Sequence, residues 1–180
     1  KWSWDRILRS PFIKQADVLQ GLYFFEDDFT KEEIARNFNF YEPRTVHESS
    51  LSPCVHVILA CLIGNFEKAN EMYLRTSRLD LDDYNNDTED GLHITSMAGT
   101  WLAVVKGFGG MRVKDGKLFF TPNLPPTWQS VSFKVRFRGA IINLKVSKSE
   151  ITIVNTGFAA VTTNINGKDY LLQPHTEVKI

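Results

Sequence analysis

The amino-acid sequence predicts a two-part chain of mixed α and β class, with helix hairpins up to about residue 110 and an antiparallel β-sandwich over 111–180. Two observations carry this expectation. From Ile13 to about Phe108 apolar residues recur every three to four positions, the period of an amphipathic helix. Past Gly107-Phe108-Gly109-Gly110 they alternate with polar residues, the period of a strand with one buried face.

The first helix is expected over 14–25, with Val18, Leu19, Leu22 and Phe25 on its apolar side. The second, over 31–40, opens on Thr30 and Glu33, the spacing of a capping box, and turns Ile34, Phe38 and Tyr41 inward. Ser52 as N-cap and Pro53 in the first helical position start the third, over 53–63, which carries Val55, Ile58, Leu59 and Leu62. Gly64-Asn65 stops it before a fourth over 66–78, and a fifth follows over 95–107. Phe133, Val135 and Phe137 alternate with polar residues, as do Ile142, Leu144 and Val146, then Ile151 and Ile153, then Val161 and Ile165. Asp115-Gly116 and Asn166-Gly167 have the composition of two-residue hairpin turns. About seven short strands result, enough for half or more of a small sandwich. Trp2, Trp4, Ile7 and Leu8 supply apolar surface that nothing nearby in sequence covers, so the chain is expected to be the tail of a larger protein.

Of the 180 residues 43% are hydrophobic and 12% aromatic, enough to bury a core. Basic and acidic residues number 21 each, so no overall field favours nucleic acid or an anionic membrane, and neither is expected as a partner. Cys54 and Cys61 fall two helical turns apart, roughly 10 Å on one side of the third helix, too far for a disulfide. They are expected to be reduced core residues. No apolar run approaches the ~20 residues that cross a bilayer, and the opening KWSWDRILRS lacks the order of a signal peptide, so a cytoplasmic protein is expected. The acidic run from Asp80 to Asp87 fails as a calcium loop, because its best register puts Thr88 where glycine is needed and Ile94 where a bidentate glutamate is needed. No zinc spacing, glycine-rich phosphate loop or nucleophile elbow occurs, and no metal or cofactor is expected.

The chemistry-bearing residues gather where helices begin. Ser49 and Ser50 lie just ahead of the third helix, near its free N–H groups and positive dipole end, a place that favours anions. The plainer alternative is that they, with Ser52, only shape the turn. Gly91-Leu92-His93-Ile94-Thr95-Ser96 leads into the fifth helix and puts an imidazole and two hydroxyls at a second positive end. His93 could equally be a satisfied core histidine. Lys14 and Gln15, at the start of the first helix, pair a charge with an amide, as sugar hydroxyls require; a solvated helix end explains them as well.

Four stretches, KQADVLQGLYFF, NFNFYEPRTVHESSLSP, YLRTSRLDLDDYNN and GLHITSMAGTWLAVVKGFGGMR, closely resemble the C-terminal third of the glycoside hydrolase family 65 phosphorylases. The resemblance implies that residues 1 to about 110 are the C-terminal part of an (α/α)6 catalytic barrel and 111–180 the C-terminal β-sandwich domain. It further implies an inverting glycosyl transfer in carbohydrate metabolism, in which phosphate attacks an α-linked glucose disaccharide, maltose first among them, to give β-glucose 1-phosphate and a free sugar. Ser49, Ser50 and His93 would then hold phosphate, and Lys14 and Gln15 would contact the transferred glucosyl unit. His47 and Glu48 share the serine motif without an assigned role beyond helping to orient the serines. The general-acid glutamate of such enzymes belongs upstream of this sequence, so none of its residues is expected to be catalytic and the 180 residues alone are expected to be inert. A homodimer of the full-length protein is also implied. Inorganic phosphate acts as co-substrate, without a cofactor.

Two other readings stay open. A family 65 α-glucoside hydrolase would place a carboxylate in the anion pocket, and Glu48, Glu89 and Asp90 are near enough in sequence to supply one. A non-catalytic carbohydrate-binding or interaction module would want surface tryptophans, but Trp128 is the only one past residue 110.

Overall fold

The computed structural model describes residues 3–47, 49–84 and 86–180. They fall into two compact units, residues 1–103 and 104–180. The first is helical, with α1 (Trp4–Leu8), α2 (Asp17–Phe24), α3 (Lys31–Tyr41), α4 (Ser52–Ile63), α5 (Phe66–Ser77) and α6 (Ile94–Leu102). The second carries strands β1 (Arg112–Lys114), β2 (Lys117–Phe120), β3 (Ser130–Phe137), β4 (Ala140–Ser147), β5 (Ile151–Asn155), β6 (Val161–Ile165), β7 (Lys168–Leu172) and β8 (Thr176–Lys179). The chain is therefore a set of helix hairpins followed by a β-sandwich.

α4 organises the helical unit. Every residue from Ser52 to Cys61 is buried, because the helix packs against α2, α3, α5 and α6 at once. A helix apolar all round has to sit at the centre. Its end is sharp: Gly64 takes φ +84°, and the N–H of Asn65 reaches back to the carbonyl of Ala60 at 2.8 Å. Asn65 then caps α5, its Oδ1 accepting the Lys68 N–H at 3.1 Å. The capping box of α3 is present, with Glu33 Oε2 accepting the Thr30 N–H at 2.8 Å and Thr30 Oγ1 accepting the Glu33 N–H at 3.2 Å. Cys54 and Cys61 are buried and are not joined in a disulfide.

Three expectations need correction. Lys14 and Gln15 precede α2 instead of opening it, because the chain at Ile13 is tied alongside Thr45, with Ile13 N–H to Arg44 O at 3.0 Å and Val46 N–H to Ile13 O at 2.8 Å. Ser52 does not cap α4: it is the first helical residue, and its hydroxyl lies 3.2 Å from His47 Nδ1. The fifth expected helix is α-helical only to Leu102 and continues as a π-helical turn over Ala103–Phe108, in which the Gly109 N–H reaches Val104 O at 2.8 Å.

In the second unit the strands form two four-stranded sheets, β1-β2-β6-β7 and β3-β4-β5-β8. Every pair is antiparallel except β2 with β6, which the alternating pattern alone could not reveal. Leu118, Phe120, Val135, Ile142, Leu144, Ile153, Ile165 and Leu172 belong to the core and alternate with less buried neighbours. Left-handed backbone at Asp115-Gly116 and Asn166-Gly167 closes the two anticipated hairpins. A third tight turn, Arg138-Gly139 with φ of 49° and 82°, joins β3 to β4; arginine there carries no turn signal in sequence.

Candidate functional site: two helix starts in the helical unit

The starts of α4 and α6 meet. Ser49 and Ser50 are partly buried in the turn that feeds α4, where Ser49 Oγ accepts the Leu51 N–H at 3.3 Å. Ser50 Oγ lies 3.2 Å from Thr95 Oγ1 in the first turn of α6. Two positive helix ends are thereby brought side by side with hydroxyls between them. Ser96, the other hydroxyl of that motif, points away: it is buried and donates to Thr76 O at 2.7 Å on α5.

His93 sits at the N-cap position of α6, but its ring does not cap the helix. Asp80 grips it twice, with Oδ1 2.6 Å from Nδ1 and Oδ2 accepting its backbone N–H at 2.9 Å. Asp87 Oδ2 lies 3.4 Å from Nε2. The hydrogen bond to Asp80 raises the imidazole pKa above its ordinary value and lowers that of Asp80. His93 is thus a partly exposed imidazole held by two carboxylates rather than a core histidine, and its ring contacts run to Asp80 and Asp87, not to the serines. The remaining acidic residues of that loop are occupied structurally, Asp82 by Arg78 at 2.6 Å and Asp83 by the backbone N–H groups of Asp87 and Thr88, each at 3.1 Å.

Gln15 lines an apolar groove of about 520 Å³ between α2, α4 and α6, together with Tyr23, Leu51, Ser52, Thr95 and Leu102. Its Nε2 donates to Asp17 Oδ1 at 3.1 Å. Lys14 is exposed and is not part of the groove lining, nor are Ser49, Ser50 and His93. Thr95 is the link, because it lines the groove and also meets Ser50.

Behind the serines lie two histidines, His47, expected only to help orient them, and His56, to which the sequence assigned no role. His47 is 8% exposed and His56, in the middle of α4, 0%. Their rings stand 4.5 Å apart in a T-shaped arrangement. Burial lowers the pKa of both, that of His47 to about 3, so both rings are neutral. Glu48, the other unassigned residue of this motif, lies outside the described residues, as does Asn85 of the acidic run. Among the described residues no group of three or more His, Cys, Asp or Glu side chains could hold a metal ion.

Sequence reasoning missed Asp80, Asp87 and the contact made by Thr95. Thr95 was in view within its motif, whereas Asp80 lies 13 residues before His93 in a run that invited only a calcium test.

Residues 1–102 match the glycosyl hydrolase family 65 central catalytic domain and residues 111–172 the family's C-terminal domain, so the chain belongs to glycosyl hydrolase family 65. More particularly, it is 54% identical to the maltose phosphorylase of Bacillus subtilis (strain 168), over 98% of this chain and 23% of that relative. It is 48% identical to the α,α-trehalose phosphorylase of Thermoanaerobacter brockii, over 83% of this chain and 19% of that relative. A solved structure described as a kojibiose phosphorylase from the human microbiome superposes with a TM-score of 0.91 at 41% identity, covering 99% of this chain and 26% of that one. The chain thus spans about a fifth to about a quarter of the length of these relatives.

Proposed function

We propose that this chain is the C-terminal part of an inverting disaccharide phosphorylase acting on an α-glucoside, with maltose as the substrate that its similarity to the maltose enzyme favours. The observation that carries the reading is the 3.2 Å contact between Ser50 and Thr95, which brings the start of α4 to the start of α6, where His93 is the N-cap residue. An inverting hydrolase needs a carboxylate to activate water, whereas phosphate is already an anionic nucleophile and needs donors that position it. In this reading Ser49 and Ser50 supply two hydroxyls and His93 an N–H. The Asp87 carboxylate at 3.4 Å from His93 Nε2 occupies the side from which a phosphate oxygen would approach. Gln15, with Lys14 beside it, meets the glucosyl unit from the groove.

In the reaction a phosphate oxygen attacks the anomeric carbon from the face opposite the glycosidic bond. The C–O bond to the second sugar breaks, and a glutamic acid from outside these 180 residues gives its proton to the leaving oxygen. The products are β-glucose 1-phosphate and glucose. The homodimer implied by the family resemblance belongs to the same proposal.

One observation favours hydrolysis instead, namely the acidic pair around His93, whose Asp80 or Asp87 could serve as a base for water. The binding-module reading has less support, because Trp128 is partly buried and packs on Phe108 with ring centroids 4.6 Å apart.

The test is an assay of the full-length enzyme on maltose, trehalose and kojibiose with and without inorganic phosphate. Strict phosphate dependence with release of the β-anomer is expected, and sugar release at equal rate without phosphate refutes the reading. In the same enzyme His93→Ala should raise the KM for phosphate at least about tenfold, the cost of one charged hydrogen bond, and that for disaccharide far less. Equal effects on both remove His93 from the anion site.

A further inference from the structure

We propose that His47 is a positioning residue, which holds the Ser49–Ser50 turn at the start of α6 from behind without touching substrate; this rests on the phosphorylase reading above.

His47 adopts φ +58°, a left-handed conformation uncommon for a residue with a side chain. Such a backbone persists only where the surroundings over-determine it. Three contacts do so here. Its carbonyl accepts Arg75 Nη2 from α5 at 2.9 Å, its Nδ1 lies 3.2 Å from Ser52 Oγ, and its ring packs against His56 at 4.5 Å. Ser52 is in turn held from its other end, since its carbonyl oxygen is 3.0 Å from His56 Nδ1. The chain leaves this clamp in the direction the left-handed residue sets, and three residues past His47 the Ser50 hydroxyl meets Thr95.

The clamp is costly as mere scaffolding. His47 Nε2 and His56 Nε2 are both buried without a hydrogen-bond partner among the described residues. An unpaired buried polar atom opposes folding, and asparagine or glycine would accept the same backbone with less polar surface to bury. Neutral imidazoles fit the place: among the described residues a charge on His47 would face His56, Arg75 and Lys68, and one on His56 would face Lys68 with Glu42 in opposition. What the ring adds over a small residue is a rigid plane with one nitrogen fixed on Ser52.

The experiment compares His47→Ala, His47→Gly and His47→Asn in the full-length enzyme. The readouts are KM for phosphate, KM for disaccharide, melting temperature, and amide hydrogen exchange over residues 49–52. Asparagine tolerates left-handed backbone and places an amide near the position of Nδ1; glycine tolerates the backbone but has no group for Ser52. His47→Ala and His47→Gly should raise the phosphate KM about tenfold, move the disaccharide KM less than about twofold, and speed exchange over 49–52. His47→Asn should restore most of both. A lowered melting temperature with phosphate KM and exchange unchanged overturns the proposal, and so does His47→Asn performing no better than His47→Gly. Should His47→Ala fail to fold, the Gly and Asn pair still decides. A wild-type enzyme that needs no phosphate refutes the phosphorylase reading instead, and exchange over 49–52 then separately confirms or overturns the positioning.

Discussion

Asp80 is the residue that does most to hold the His93 pKa above its ordinary value. A group whose folded pKa lies above its unfolded value of about 6.5 contributes stability that is fully present below that pH and is lost as pH rises through the folded pKa. The Asp80 hydrogen bond is the first cause of the His93 shift, so Asp80→Asn should bring the imidazole back toward its ordinary value. The expected outcome is that phosphate affinity in the full-length enzyme fails at lower pH than in the wild type. Its pH profile checks this, and an alkaline limb that stays in place would separate His93 ionisation from anion binding. None of this was visible in the motif around His93, because its partner belongs to a loop whose acidic residues look alike in sequence. Arg78 takes Asp82, two backbone N–H groups take Asp83, and only folding distinguishes Asp80 from them.

At the scale of elements, local signals served best where one residue both starts and stops the geometry. Thr30 with Glu33, and Gly64 with Asn65, mark their helix ends because the bonds they make close within five residues. Ser52-Pro53 misled for the opposite reason: the serine has the composition of a cap, but its hydroxyl goes to His47, and Leu51 occupies the cap position. In the sandwich the least legible element is Asn155, which ends β5 and is 0% exposed. Its Nδ2 donates to Ala159 O at 2.8 Å and to Leu172 O at 3.2 Å, and its Oδ1 accepts the Gly157 N–H at 2.9 Å. Asn155→Ala removes three hydrogen bonds from a buried side chain to backbone groups and should cost about 2–4 kcal/mol. Calorimetry on the second unit's transition would show it as a clear fall in melting temperature, and a change below about 0.5 kcal/mol would mean that water replaces the amide.

For the molecule as a whole, the helical unit shows too much apolar surface for a self-sufficient fold. Ile94, Met97 and Trp101, spaced along one side of α6, are 75%, 49% and 49% exposed, and Phe24 and Phe25 at the end of α2 are 68% and 61% exposed. Contiguous apolar surface of this kind normally meets a partner. The 180 residues by themselves are therefore expected to self-associate at micromolar concentration and to form no glucose 1-phosphate from maltose and phosphate. Sedimentation checks the first outcome and an enzymatic glucose 1-phosphate assay the second. A monodisperse monomer, or appreciable turnover, would contradict them.

Periodicity and punctuation in the sequence determined the division into helix hairpins and sandwich, most helix ends and two of the hairpin turns, because the bonds responsible join residues only a few positions apart. Four long motifs were enough to place the chain in its family. Tertiary structure alone decided that Ser50 meets Thr95 across 45 positions, that Asp80 takes His93, and that His47 is wedged in the left-handed region against His56. Those contacts come from how α4, α5 and α6 pack, and no local pattern encodes which distant atom a side chain will find.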